Sequence, residues 1–306
     1  MPTHLKTFDL VGKKEEVSDY ISMITPSDTP FLSSIKTETV ENTLYQWMED
    51  QLRAVAKNAK LEGADAADSN RDQPTMRQNG TQILEETFKV SGTADAVKLY
   101  GRDKVTARET MKTGKLLKMD LEHSLVGTGQ TYVAAAGAVA GEFAGVQAQI
   151  DSAVTVTIDS DGSTAGNQAG PLTETAVISA HEKLYNAGSD ATTLMIKPSD
   201  SKLIAGWLQS SGRTHTTDNG DTKLTNVVNV YESPFGTVRV VKNRRLRASD
   251  ALLYDPANWK LAVLKGRNWF REKLAKVGDA ERWMMLGEFG LKHNNKQATA
   301  LITNLT

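Results

Sequence analysis

The densest group of side chains with ligand-binding chemistry is basic. Asn243, Arg244, Arg245, Leu246 and Arg247 follow one another directly. Guanidinium groups bind phosphate oxygens, so a phosphate contact is one interpretation of this run and a solvated turn between strands is the other. The chain as a whole has 36 basic and 37 acidic side chains. A general nucleic-acid binder usually has a basic excess, so the overall charge does not favour that class.

No metal site is predicted. Cysteine is absent, which excludes disulfides, thiolate zinc sites and cysteine nucleophiles. The run Asp159-Ser160-Asp161-Gly162 has the composition of a calcium loop, but Gly170 occupies the twelfth position, where such a loop needs a bidentate Glu. An Asp/Gly turn is therefore predicted there. The histidines are scattered, with no pair at ligand spacing: His4, His123, His181, His215 and His293.

No catalytic or cofactor-binding motif is present either. The chain lacks a Walker loop, a Gly-x-Ser-x-Gly elbow and a dinucleotide fingerprint. The most apolar window, 132–150, consists mainly of Ala and Gly and contains Glu142, so it does not predict a membrane span. The charged N-terminal stretch does not resemble a secretory signal. We predict no catalytic, cofactor or metal residues, and a protein of the cytosol or of a particle assembled there.

The clearest predicted element is a helix over 103–126. Asp103 is a good N-cap, and Gly127-Thr128-Gly129 ends the pattern. Apolar or small residues recur at steps of three and four, as on one face of a helix: Val105, Ala107, Met111, Gly114, Leu117, Leu121 and Leu125.

The remaining elements indicate an α+β fold. A helix over 172–187 is predicted between a Thr173 cap and Gly188, and a second begins at Pro198. From 227 onward the chain is mostly strand, with a turn at 233–236. A short strand at 154–158 is predicted to form a surface hairpin or loop. Helices in the middle and strands at the end are typical of α+β proteins.

The first 97 residues have no sustained helix or strand period. They nevertheless contain apolar side chains that are costly to leave in water. Pro30 holds the chain extended and presents Phe31 as an anchor. These side chains dock either on their own subunit or on another copy, and the sequence leaves both open. The candidate interface residues are Pro30, Phe31, Leu32, Trp47, Lys57 and Lys60.

Five strings in consistent order resemble the major capsid proteins of tailed bacteriophages with the Hong Kong 97 fold, in their SU10-like branch. They are SDTPF at 27–31, VSGTADAV at 90–97, AGVQ at 144–147, GTVRVVKNR at 236–244 and EKLAKVGDAE at 272–281. None is a catalytic signature, so the resemblance rests on their order along most of the chain.

The resemblance implies five parts and a function. The parts are an N-terminal arm at 1–45, an extended loop at 46–97, the spine helix and connector of the peripheral domain at 98–144, an axial domain at 145–250 and peripheral strands at 251–306. The function is a major capsid protein, not an enzyme, that self-assembles as pentamers and hexamers into the icosahedral virion shell in the host cytoplasm. The implied partners are packaged double-stranded DNA, with Arg244, Arg245 and Arg247 as candidate genome-facing residues, and a portal and a decoration protein.

Two expectations follow from the arm and the loop. The arm begins almost at Met1, so scaffolding is expected from a separate protein. Removing 1–45 is expected to abolish assembly while the helix and axial domain stay folded. No covalent crosslink is predicted at Lys57 or Lys60. The alternatives are an encapsulin-like compartment shell of the same fold and an α+β enzyme whose site converges only in space.

Overall fold

The structure is a computed structural model that describes residues 25–26, 28–63, 65, 71, 73–99, 104–164, 168–210, 230–276 and 278–306. The strands are β1 (Lys36–Val40), β2 (Leu44–Glu49), β3 (Thr75–Gly80), β4 (Gln82–Ser91), β5 (Thr155–Thr157), β6 (Thr193–Ile196), β7 (Val230–Ser233), β8 (Gly236–Lys242), β9 (Ala251–Tyr254), β10 (Trp259–Leu264), β11 (Phe270–Lys273), β12 (Ala280–His293) and β13 (Thr299–Thr303). The α-helices are α1 (Pro30–Ser34), α2 (Gly92–Ala96), α3 (Val105–Val126), α4 (Val146–Gln149), α5 (Glu174–Asn186) and α6 (Ser201–Ser210).

The strands form two large sheets and a ribbon. The first sheet has the order β1-β10-β12-β11, with β4 paired along the other edge of β12. The second has the order β5-β13-β9-β6-β8-β7. The ribbon consists of β2 and β3 alone, paired antiparallel. Helices on sheets in this arrangement confirm the predicted α+β class.

The long helix α3 confirms the predicted periodicity in its second half. Leu117, Leu121 and Leu125 are buried, whereas Met111 on the same predicted stripe is 65% exposed. The predicted cap, Asp103, lies outside the described residues. Instead, the carboxylate of Asp95 accepts a hydrogen bond from the Thr106 N–H at 3.0 Å. It thereby satisfies one of the donors that a helix start leaves free.

The second sheet and α5 enclose their own core. The Thr173 hydroxyl caps α5 by accepting from the Ala176 N–H at 3.3 Å, and Gly188 follows the helix with φ +79°. Both were predicted as the boundaries of this helix. Every residue of β6 is buried, as expected for a strand in the interior of a sheet that is covered on both faces.

The strand pairing differs from the expected division at 250/251. β9 and β13 fall within 251–306 but belong to the second sheet, where β13 pairs antiparallel with β9 and parallel with β5. Ala300 and Ile302 on β13 are fully buried in the core beneath α5. The pairing also corrects the hairpin expected around 154–158, because the partner of β5 is a strand from the end of the chain. Local sequence does not reveal so distant a partner.

A second group of buried side chains joins the two sheets. It combines Leu261 and Phe289 of the first sheet with Met195 and Leu252 of the second, beside α3. We call it the junction core. Its largest members are aromatic rings, so the relative position of the two sheets depends on how those rings pack.

His293 lies at the edge of this core as a neutral ring. It stacks on Trp259 with ring centroids 3.8 Å apart, and its Nε2 lies 3.1 Å from the Thr299 hydroxyl. Burial lowers the pKa of His293 to about 3. The folded chain therefore excludes a proton that the unfolded chain binds below about pH 6.5.

This burial predicts a pH dependence of stability. Between about pH 6.5 and 3 the free energy of unfolding should fall by ~1.4 kcal/mol per pH unit from His293 alone. Glutamine does not titrate, so the variant His293→Gln lacks this pH-dependent contribution. The difference in unfolding free energy between wild type and variant should therefore shrink by about 2 kcal/mol from pH 7 to pH 5. Urea unfolding of unassembled subunits measures it. A difference that does not change with pH would show that the ring binds a proton as readily in the folded chain as in the unfolded chain.

Candidate functional site: the arm, the ribbon and the basic turn

The described end of the arm docks on its own chain. Phe31 is fully buried, and its ring centroid lies 5.5 Å from that of Tyr254 and 5.9 Å from that of Trp259. The flanking residues Pro30 and Leu32 are half-buried. The candidate interface residue Phe31 is thus an anchor within the junction core, because a pocket of two aromatic rings is available inside the subunit.

The ribbon has one buried and one exposed face. Tyr45 and Trp47 are both 9% exposed and pack in a cluster with Val40 and Ala262 of the first sheet. Trp47, which was also a candidate interface residue, therefore lies on the inner face. Strand alternation turns the next residues outward. The exposed apolar side chains of the outer face are Leu44, Met48 and Met76.

The segment 50–74 connects the two strands of the ribbon. Its described residues form no helix or strand. Three apolar side chains on it are almost fully exposed: Leu52 at 93%, Val55 at 102% and Leu61 at 83%. Lys57 and Lys60, the remaining candidate interface residues, are exposed on the same segment. A soluble chain gains nothing from apolar side chains held in water, so this segment has the properties of a binding surface.

A buried polar cluster fixes the base of the ribbon. Asn79 on β3 is fully buried. Its Oδ1 accepts from the Ala144 N–H at 2.7 Å and the Gly80 N–H at 2.9 Å, and its Nδ2 donates to the carbonyls of Leu291 at 2.6 Å and Ala144 at 3.2 Å. All the hydrogen-bonding capacity of this amide is used. Asn79 therefore ties the ribbon, the connector after α3 and strand β12 together.

Two more side chains complete this cluster, which we call the ribbon hub: Asn79, Tyr45 and Gln149. The Tyr45 hydroxyl donates to the Leu291 carbonyl at 2.9 Å, and Gln149 Nε2 donates to the same oxygen at 3.1 Å. Burial raises the pKa of Tyr45. A β-carbon at Gly290 would lie 2.5 Å from the Tyr45 hydroxyl and 2.6 Å from the Gly80 carbonyl. Only glycine allows the ribbon to approach β12 this closely.

Sequence reasoning did not find the ribbon hub. An isolated Asn or Gln carries no spacing signal, and the partners of Asn79 lie 65 and 212 residues away. The one local indication is that Asn79 shares the inward-facing parity of Arg77 on β3, opposite the buried positions Tyr45 and Trp47. That parity becomes visible only when the strand and its register are known.

We expect Asn79→Ala to loosen the ribbon. The substitution leaves the Ala144 N–H and two carbonyls without their amide partner, so the free energy of unfolding should fall by about 2–4 kcal/mol. Gln78→Ala is the matched control, because Gln78 is on the same strand and its side chain bonds only across the exposed face. The control should change stability by less than about 0.5 kcal/mol. Chemical denaturation compares them, and equal effects would contradict the proposed role of the hub.

The basic turn at 243–247 contacts the arm. Arg244 forms an ion pair with Asp28 at 2.9 Å, and Arg245 Nη2 donates to the Pro26 carbonyl at 3.1 Å. Arg247 is exposed. This turn and the C-terminal half of α3 together line an open pocket of about 470 Å³. Two of the three candidate genome-facing arginines thus have partners within their own subunit.

One buried pair has the residue types of a nucleophile and its base. Ser233 Oγ lies 2.7 Å from His181 Nδ1. The same oxygen donates to the Gly236 carbonyl and accepts from the Phe235 N–H, so it closes the β7–β8 turn. Which of the two side chains donates in the 2.7 Å contact depends on the tautomer of the His181 ring. The backbone contacts of the hydroxyl give this serine a structural role in the turn. Burial lowers the pKa of His181.

The described residues contain no group of three or more His, Cys, Asp or Glu side chains placed to hold a metal ion. Within the Asp159–Gly162 turn, Asp161 Oδ1 accepts from the Ser163 N–H at 2.8 Å, as predicted for a turn. In the part of the chain that is described, no helix is both long and apolar enough to cross a bilayer.

Comparison with known proteins agrees with this architecture. The major capsid protein of Escherichia phage Phieco32 is 29% identical, over 98% of this chain and 97% of that protein. The capsid of a native GTA particle has a TM-score of 0.62 at 12% identity, covering 96% of both chains. An encapsulin from Synechococcus elongatus has a TM-score of 0.59 at 12% identity, covering 96% of this chain and 92% of its own, which shows a shared fold only.

The family model for the SU10 major capsid protein matches residues 4–306, nearly the whole chain. This match and the phage relative favour a phage head over a host compartment. The chain therefore belongs to the SU10 major capsid protein family, has the Hong Kong 97 fold, and is a shell-forming structural protein of the virion.

Proposed function

We propose that this capsid protein joins its neighbours mainly through the segment 50–74, which lies across an adjacent copy. The observation that carries this proposal is the exposure of Leu52, Val55 and Leu61, between 83% and 102%, on a segment whose described residues form no helix or strand. Burying one such side chain contributes about 1.5–3 kcal/mol. Repeated for every subunit of a closed shell, weak contacts of this size suffice to stabilise it.

We infer that different parts of the chain have different roles in the shell. The arm at 1–45 and the extended loop at 46–97 serve contacts between subunits, except for the parts that are built into their own subunit. These parts are Phe31, β1, the inner face of the ribbon and β4. The helix and connector at 98–144 form the peripheral part together with the strands at 251–306 other than β9 and β13. The axial part comprises 145–250 and, because of the strand pairing, also β9 and β13.

We propose the following partners beyond the subunit itself: copies in pentamers and hexamers, a separate scaffolding protein, a portal, a decoration protein and packaged double-stranded DNA. DNA contact would be non-specific and through phosphates. Arg247 is the best-supported contact of the basic turn, because Arg244 and Arg245 already bind Asp28 and Pro26.

A thiol placed on the loop tests the intersubunit contact. The chain has no cysteine, so Val55→Cys introduces a unique reactive group. In free subunits this thiol should react quickly with a maleimide, because Val55 is fully exposed. In assembled shells its reaction should slow at least about tenfold, since even a modest burial free energy of ~1.4 kcal/mol reduces the open fraction by that factor. As a control, shells dissociated in denaturant should show the full reaction rate of the thiol. Equal reaction rates in intact shells and in free subunits would refute the contact.

A further inference from the structure

Glu122 is a buried acid on α3, beside the apolar stripe that contains Leu121 and Leu125. It is 0% exposed. Its Oε1 accepts from the Phe31 N–H at 2.9 Å and from Asn243 Nδ2 at 2.6 Å, and its Oε2 accepts from the Leu32 N–H at 2.8 Å. One side chain thus binds the spine helix, the arm and the start of the basic turn to each other.

The chemistry of this site requires a carboxylate. All three partners are donors, and a carboxylate offers two acceptor oxygens and no competing donor. Burial raises the pKa of Glu122, while the three donors and the charge of Arg245 lower it. A glutamine of the same size would turn an NH₂ group towards a donor. Its shape would fit, but its hydrogen bonds would not.

The two backbone donors belong to the first turn of α1. A helix start leaves its first N–H groups without partners, and here Glu122 supplies acceptors from another helix. A few residues upstream, Arg244 and Arg245 hold Asp28 and the Pro26 carbonyl. The described chain is therefore held at two successive places: at Phe31 and Leu32 by Glu122, and at Pro26 and Asp28 by the basic turn.

We propose that Glu122 is the positioning residue of the arm. It fixes where residues 30–34 sit on α3, and so fixes the direction in which the upstream arm leaves the subunit towards its neighbours. This inference rests on the proposed function of the arm in contacts between subunits. It also assigns Asn243, Arg244 and Arg245 a role in binding the arm rather than a nucleic acid.

Hydrogen exchange of the free subunit tests this positioning role directly. In Glu122→Gln, exchange of the peptide covering residues 28–36 should accelerate about tenfold or more, while peptides from the C-terminal end of α3 keep their protection. Asp120→Asn is the matched control, because Asp120 is an exposed acid two residues away. Unchanged exchange in Glu122→Gln would overturn the proposal.

A second variant separates positioning from packing. In the wild type Asn243 donates a hydrogen bond to the carboxylate of Glu122. The double variant Glu122→Gln with Asn243→Asp reverses this bond, because the carboxylate is now at position 243 and the amide at position 122. It can accept from the new glutamine amide, which leaves the glutamine oxygen free for an arm N–H. Exchange of 28–36 should return part of the way to the wild-type rate. A purely structural role for Glu122 predicts instead that the two substitutions add, and that result would overturn the proposal.

Shell assembly separates this inference from the function on which it rests. Glu122→Gln should form fewer or more heterogeneous shells by electron microscopy, and so should a chain lacking residues 1–24. If the truncated chain assembles like the wild type, the proposed function of the upstream arm fails. If the truncated chain fails but Glu122→Gln gives normal shells despite accelerated exchange, the positioning role is overturned.

Discussion

Leu52→Asp combined with Val55→Asp is expected to abolish shell assembly while leaving the subunit folded. The two aliphatic side chains together supply about 3–6 kcal/mol if they are buried between subunits. Losing that contribution corresponds to a decrease of roughly two to four orders of magnitude in the association constant of each contact. Burying two unpaired carboxylates adds a further cost.

Stability and assembly must be measured on the same preparations. The unfolding free energy should change by less than about 0.5 kcal/mol, because both side chains are exposed in the single subunit. Sedimentation and negative-stain microscopy should show subunits or capsomers but no shells. Lys57→Gln with Lys60→Gln is the matched pair in the same loop and should affect assembly far less. Wild-type yields of shells from the aspartate variant would contradict the role of the loop.

Phe31→Ala is expected to lower the free energy of unfolding by about 3–5 kcal/mol, as for other fully buried aromatic residues. The ring fills the junction core between Tyr254 and Trp259, and alanine would leave a cavity there. Chemical denaturation of free subunits measures the loss. Phe31→Leu, which retains most of the volume, should cost clearly less, and a small effect of Phe31→Ala would show that the arm is not part of the core.

The contacts of Phe31 within its own subunit also change the effect that is expected from removing the arm. Removal of 1–45 was expected from the sequence to abolish assembly and to leave the helix and the axial domain folded. The structure contradicts the expected folding, because β1 pairs with β10 over residues 36–40 and Phe31 belongs to the junction core. A deletion through residue 45 therefore confounds folding with assembly. Truncation before residue 25 retains Phe31 and β1 with their described contacts.

The helices could be predicted because their capping residues are close by in the sequence. The docking of the arm could not be predicted because its packing partners are far away in the sequence. Thr173 and Gly188 mark the ends of α5 within the sequence itself, so this helix was correctly placed. Phe31 gives no such indication, because its ring partners lie more than 220 residues further along the chain. Its apolar character showed that it must be buried, but not in which subunit.

Buried polar residues were the second group that sequence could not assign. Glu122 lies beside the predicted apolar stripe of α3, where a charged side chain is expected to be exposed to solvent. Its burial follows from the arm and the basic turn, which meet it from positions 91 and 121 residues away. The ordered strings did identify the family, since a family resemblance depends on order along the chain and not on contacts. They did not locate the hydrogen bonds that hold the arm.

The most direct test of the account is a cryo-electron microscopy map of the assembled shell. We predict that residues 50–74 of each subunit lie across an adjacent copy with Leu52, Val55 and Leu61 in contact with it, while Phe31 and Glu122 keep the contacts within their own subunit described above. A map in which this segment folds back on its own subunit, or projects into solvent between separated subunits, would contradict it.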